Sequence, residues 1–211
     1  MQLSEPRSRY ELPPSGTHLA RLYRFVDLGW QTSTYEDEAR DQHQAILGWE
    51  LCGRLMSDGR PYSVSKTINL SLHEKSTFRG WAESVVGREF GPSDLAGRNR
   101  FDVKELLGAV CLLQVEHGTS RKGNLFAKVA NLMQAPEGVK VPPLVNEPFY
   151  FSLDPHEFDQ AGFDSLPQWD REKIESSDSW TKLQLRLGNA PVPQIEDKRP
   201  ASEIIGDHVP F

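Results

Sequence analysis

The chain has 211 residues and only two cysteines, Cys52 and Cys111. Both lie in apolar, strand-like stretches, which argues for buried free thiols in a reducing compartment and against a disulfide framework or a Cys-based zinc site. No apolar run approaches the roughly 20 residues a membrane helix needs, and Met1–Pro6 lacks the apolar core of a signal peptide. Six histidines, His18, His43, His73, His117, His156 and His208, are never spaced as i, i+3 or i+4. Each is expected on the surface or in a turn. Metalloprotease, Walker-loop and nucleophile-elbow patterns are absent, and the acids are scattered. The expectation is therefore a protein with no catalytic residues, no metal and no cofactor.

Charge is unevenly placed. Residues 1–134 carry 17 Lys+Arg against 16 Asp+Glu, whereas residues 135–211 carry 7 against 14. A near-neutral body followed by an acidic appendage suggests a solvated end, or one that competes with anionic ligands for a basic surface on the body.

What is present is a series of alternating segments. Residues 1–16 read as a flexible arm closing in Pro13-Pro14-Ser15-Gly16. His18–Trp30 places Ala20, Leu22, Val26 and Leu28 in one period-2 phase, and Gln44–Met56 does the same with Ala45, Leu47, Trp49 and Leu51. Asp58-Gly59 turns the chain into Pro61–Leu72, where Tyr62, Val64, Ile68, Leu70 and Leu72 alternate with small polar residues. A helix is predicted next, with Ser71 and Glu74 as a capping box, an apolar face of Phe78, Trp81, Ala82 and Val85, and a stop at Gly87. A short helical turn at Pro92–Gly97, a fourth strand at Ala109–Glu116, a turn at Gly118–Gly123 and a fifth strand at Asn124–Met133 follow. The fifth has Leu125, Ala127, Val129 and Met133 in phase.

Three strands, a helix and two strands is the element order of an OB-fold, a five-stranded barrel that binds oligonucleotides. The predicted fold class is mainly β: an OB-fold barrel over 17–153 with an inserted helix. A small helical appendage over 154–187 and a flexible acidic tail over 188–211 complete it. Phe149-Tyr150-Phe151 should form a short strand that packs back on the barrel. Pro155–Ala161 and Pro167–Ser176 read as helices with Pro at the first position, with Trp169 and Ile174 in a small apolar cluster.

The strand phases nominate a binding face. The first strand leaves Arg21, Tyr23 and Phe25 outward, and the fifth leaves Phe126 and Lys128 outward. Rings next to cations suit a single strand, whose bases stack while Lys and Arg follow the phosphates. Trp30, just past the first strand, and Tyr35 fall in a loop that often contacts oligonucleotides in this fold. Lys66 lies in the apolar phase of its strand and should emerge at the rim, its stem buried and its head toward a phosphate. Tyr23 and Phe126 have an alternative role, packing beneath the C-terminal aromatic strand. Trp49, Phe78 and Trp81 are expected in the core.

Several blocks, in order, resemble a family of tailed-bacteriophage single-stranded-DNA-binding proteins. They are Ala20–Gly29, Trp49-Glu50-Leu51, Asp58–Lys66, Leu70–Ser76, Phe101–Gly108 and Leu166–Trp169. The likeness spans about residues 16–176. It implies an OB-fold that coats single-stranded DNA during phage replication or recombination in the bacterial cytoplasm. The C-terminal tip is similar to that of bacterial single-stranded-DNA-binding proteins, with Asp207, Val209, Pro210 and Phe211 as docking residues for replication, recombination or repair proteins. His208 departs from that tip, where a further acid is usual. The competing expectation is an acidic adaptor or DNA mimic that targets a host protein.

Overall fold

The computed structural model describes residues 11–35, 38–96 and 100–188. Its centre is a six-stranded sheet built on two long strands, β1 (Gly16–Tyr35) and β2 (Glu38–Leu55). Then come β3 (Pro61–Asn69), helices α1 (Thr77–Val86) and α2 (Pro92–Leu95), a 3-10 turn at Val103–Leu106, β4 (Val110–Thr119), β5 (Leu125–Gln134) and β6 (Phe149–Phe151). Helices α3 (Gln160–Ser165), α4 (Gln168–Glu175) and α5 (Asp178–Arg186) close the described chain. The sheet order is β3-β2-β1-β4-β5 with antiparallel neighbours, and β6 pairs parallel with β1 where β4 has left its edge.

Bulges explain where the strand phases depart from a simple alternation. Leu22 pairs with Trp49 but Arg24 pairs with Gly48, so Tyr23 is an extra residue on β1. An inserted residue flips every later side chain to the other face. Ala20 and Leu22 therefore share the inner face with Phe25, which packs in the main core and not outward as its phase predicted. Val26 and Leu28 pass to the opposite face and build a second core with Ile46, Phe151, Leu153, Phe163, Ile174 and Leu183. On β5 the same thing happens. Gln114 pairs with Asn131 but Val115 pairs with Val129, leaving Ala130 as the extra residue. Val129 and Leu132 are buried, whereas the expected core residues Leu125 and Met133 are exposed, Leu125 by 62%.

Over the inner face, α1 buries Phe78, Trp81 and Ala82, and Trp81 meets Trp49 edge-on at 6.0 Å. Ser76 stands at its N-cap, and Gly87 ends it with φ of 78° and an N–H donated to the Glu83 carbonyl. The capping box placed at Ser71 and Glu74 does not form. The Ser71 hydroxyl instead accepts from the His73 N–H, and a turn closed by the Ser76 N–H on the His73 carbonyl precedes α1.

Of the expected flexible arm, residues 11–16 are fastened to the sheet. Glu11 accepts from Ser57 and from the Tyr62 hydroxyl, and Pro13 is fully buried. His18 is buried, a correction to its expected surface position, and donates to the Pro14 carbonyl at 2.8 Å. In the C-terminal part, Pro155 begins a turn rather than a helix, and Asp159 caps α3 by accepting from Ala161 and Gly162 N–H groups. Pro167 is the N-cap of α4, not its first residue. Ile174 is buried as expected, but Trp169 is 60% exposed. Helix α5, capped by Ser177, was not foreseen from the sequence.

Candidate nucleic-acid interface

The outer side of β3 is made from small polar residues, because its alternate positions bury Val64 and Ile68 against the core. Two grooves lie in succession along it. The first, of about 250 Å³, is bounded by Tyr23, Arg24, Gly48, Ser63, Ser65 and Ala127. The bulge places Tyr23 and Arg24 side by side there, and Gly48 leaves room for Arg24: a Cβ at that position would lie 3.0 Å from the Arg24 Cβ. Arg24 is itself held by Asp170 at 2.7 Å. The second groove, of about 850 Å³, takes in Arg40, Lys66, His73 and Lys75 with the amides of Gln42 and Asn69. Among the described residues, neither groove is lined by an Asp or Glu. From Ser63 to Asn69 the track runs for about 20 Å at strand rise.

The carboxylates gather elsewhere. A cleft of about 510 Å³ is bordered by Asp94, Asp102, Asp154 and Glu157. The Asp94 carboxyl is lowered by its bidentate Arg88 partner and then by the Gly91 N–H. Glu157 is lowered by Lys104 and then by the Tyr150 hydroxyl. The segment after β3 separates the two regions. Ser71 and His73 line the basic groove, while Leu70 and Leu72 border the acidic side. Clustering one sign of charge in a concave surface focuses its field on an incoming polyanion.

The residues nominated from the sequence fall in different places. Tyr23 lies in the first groove and Lys66 in the second. The Lys66 head donates to the Val129 carbonyl at 3.0 Å and sits 5.0 Å from the Trp81 ring centre, so it bridges β3 to β5 as well as meeting the groove. Trp30 is inside β1, not past it, because β1 and β2 continue as a long hairpin; its indole is 48% exposed. Phe126 is exposed and lies over Gly118, where a Cβ would come within 2.8 Å of the ring. Lys128 pairs with Glu116 at 3.1 Å. Arg21 lies opposite Glu50, away from both grooves, with its Nε buried and without a partner. Glu50 is buried there and accepts from the Val145 N–H and from both nitrogens of Asn146, which straps residues 145–146 over that part of the sheet. Asp207, Val209, Pro210 and Phe211 lie outside the described residues.

Sequence reasoning missed Arg24, Arg40, His73 and Lys75. Lys75 and His73 were visible as part of a polar run after β3, but their place beside the strand follows from the helix starting at Thr77. Among the described residues no three His, Cys, Asp or Glu side chains are grouped to hold a metal ion, and no helix is long and apolar enough to cross a membrane. No protein-family model matches the chain, and none of the curated proteins matches it.

Proposed function

We propose that this protein binds single-stranded DNA without sequence specificity, laying the strand along the outer side of β3. The observation that carries the reading is the track from Tyr23 to Lys75, which collects cations, hydroxyls, amides and a tyrosine ring and, among the described residues, is lined by no Asp or Glu, Asp170 reaching only Arg24 from behind the first groove's lining. Phosphates suit Arg40, Lys66 and Lys75, and unpaired bases suit a ring such as Tyr23. The curled sheet, with α1 over its inner face, is a variant of the OB-fold left open between β3 and β5. Replication and recombination of phage DNA in a bacterial cytoplasm is the setting that the sequence resemblance implies. Recruitment of replication or repair proteins belongs to the Val209-Pro210-Phe211 tip.

A filter-binding titration with labelled oligo-dT and a duplex of the same length tests this. Affinity for the single strand should fall linearly with salt on logarithmic axes, as phosphate contacts release counterions. The duplex should bind far more weakly, since its bases are already stacked. Equal binding of the two overturns the reading, and no retention of either favours the acidic-adaptor alternative.

A further inference from the structure

One exposed ring is held with unusual care. Trp30 is nearly half exposed, as a ring covered on one side and bare on the other would be. The covered side stacks on the His43 imidazole, with centroids 5.5 Å apart and planes 24° from parallel. His43 is fixed in turn: its Nε2–H donates to Asp27 Oδ1 at 2.7 Å. Asp27 is buried and also accepts from the Gly29 N–H at 2.8 Å and the Leu153 N–H at 3.3 Å. The Trp30 backbone N–H is taken by the Ser179 hydroxyl of α5 at 3.1 Å. Its neighbour Gln31 donates to the Lys173 carbonyl of α4 at 2.9 Å.

An exposed indole gains little from burial, so this set of contacts is out of proportion to any role in the core. Ordering a side chain before binding lowers the entropy cost of binding. Imidazole beneath indole leaves a flat, apolar face for a third ring, and every nucleobase offers one. We infer that Trp30 is a stacking platform for one unpaired nucleobase, and that His43, locked by Asp27, and Ser179 are positioning residues that hold its pose. The inference rests on the single-strand reading and carries the strand beyond the two grooves along β3, neither of which Trp30 or His43 lines. It makes the C-terminal helices part of the DNA site, although they need not touch the strand.

The test uses full-length protein carrying 5-fluorotryptophan, read by fluorine NMR, with the Trp30 signal among the five tryptophans assigned from Trp30→Phe. Adding a dT oligomer should move the Trp30 signal. Trp30→Ala should weaken single-strand binding roughly 5- to 150-fold, the measured range for a stacked base. Two His43 variants separate ring from hydrogen bond. His43→Phe keeps a ring under the indole and should retain most of the affinity. His43→Gln keeps a donor for Asp27 but no ring; it should lose affinity and shift the Trp30 signal of the free protein, with the other four signals in place as evidence of folding. A Trp30 signal unmoved by DNA that the protein does bind overturns the platform and leaves the single-strand reading standing. Binding by His43→Gln as tight as wild type, with Trp30→Ala weakened, overturns the positioning role. Failure of the wild type to bind any single strand ends both.

Discussion

Cys111 sits on the inner face of β4 among core side chains, and burial pushes its thiol up to about 12. Only the thiolate attacks, so it should be inert at neutral pH. Cys52 is half-buried and also raised, first by burial. A thiol-reactive chromophore should therefore count at most one slowly reacting cysteine in the native protein and two after denaturation; rapid reaction of both would place Cys111 wrongly. The paired acids make a second prediction. Glu83, lowered by the Phe90 N–H and then Arg79, and Glu157, lowered by Lys104 and Tyr150, both titrate below their ordinary value of 4.5. A depressed folded pKa adds stability that is complete above the unfolded value and lost as pH falls through the folded one. Melting temperature should be flat from neutral pH down to about 5 and decline below 4.5, and Glu157→Gln should flatten part of that decline. An unchanged acid limb in that variant would remove Glu157 from the account.

At the level of elements, alternation gave β2 and β3 correctly because neither carries a phase-flipping insertion before its core positions are complete. Ala45, Leu47, Trp49 and Leu51 all pack in the main core. On β1, with bulges at Tyr23 and Leu28, and on β5, with one at Ala130, a period-2 reading fails, since each extra residue reverses the faces and leaves no mark in composition. Phe25 was therefore assigned outward, and Val26 and Leu28 to the wrong core. Helix α5 was missed for a different reason. Its apolar content is thin, with Leu183 its only fully buried apolar residue, and its start rests on the Ser177 hydroxyl accepting from the Trp180 N–H. The aromatic strand β6 was legible because three successive rings have few other uses. Gly29 tests how closely α5 and β1 fit. It has φ of 75°, and a Cβ there would lie 2.7 Å from both Ser177 Oγ and Ser179 Cβ. Gly29→Ala combines left-handed strain with overpacking and should cost about 2–4 kcal/mol by urea denaturation. A loss below about 1 kcal/mol would show that α5 gives way easily.

For the molecule as a whole, the boundary expected near residue 153 runs through a core. Val26, Leu28 and Ile46 of the sheet share one apolar cluster with Phe163, Ile174 and Leu183 of the helices. Sheet and appendage should therefore melt together, in one calorimetric transition whose van't Hoff and measured enthalpies agree. Two resolved transitions would restore the appendage as an independent unit. The candidate site was legible only in kind: rings and cations on a polar strand face were foreseen, but the gathering of Arg40, His73 and Lys75 depends on how the chain turns after Asn69. The bridge from Lys66 to the Val129 carbonyl has one more consequence. It sits where β3 and β5, the two ends of the sheet order, approach without sharing a ladder. Strand edges left bare are templates for pairing with another molecule, and an edge lysine is a common guard against it. Lys66→Met keeps the stem and removes the guard. Its solutions should scatter more light on prolonged incubation than wild type at equal stability, and if they stay clear the seam is protected by something other than this one charge.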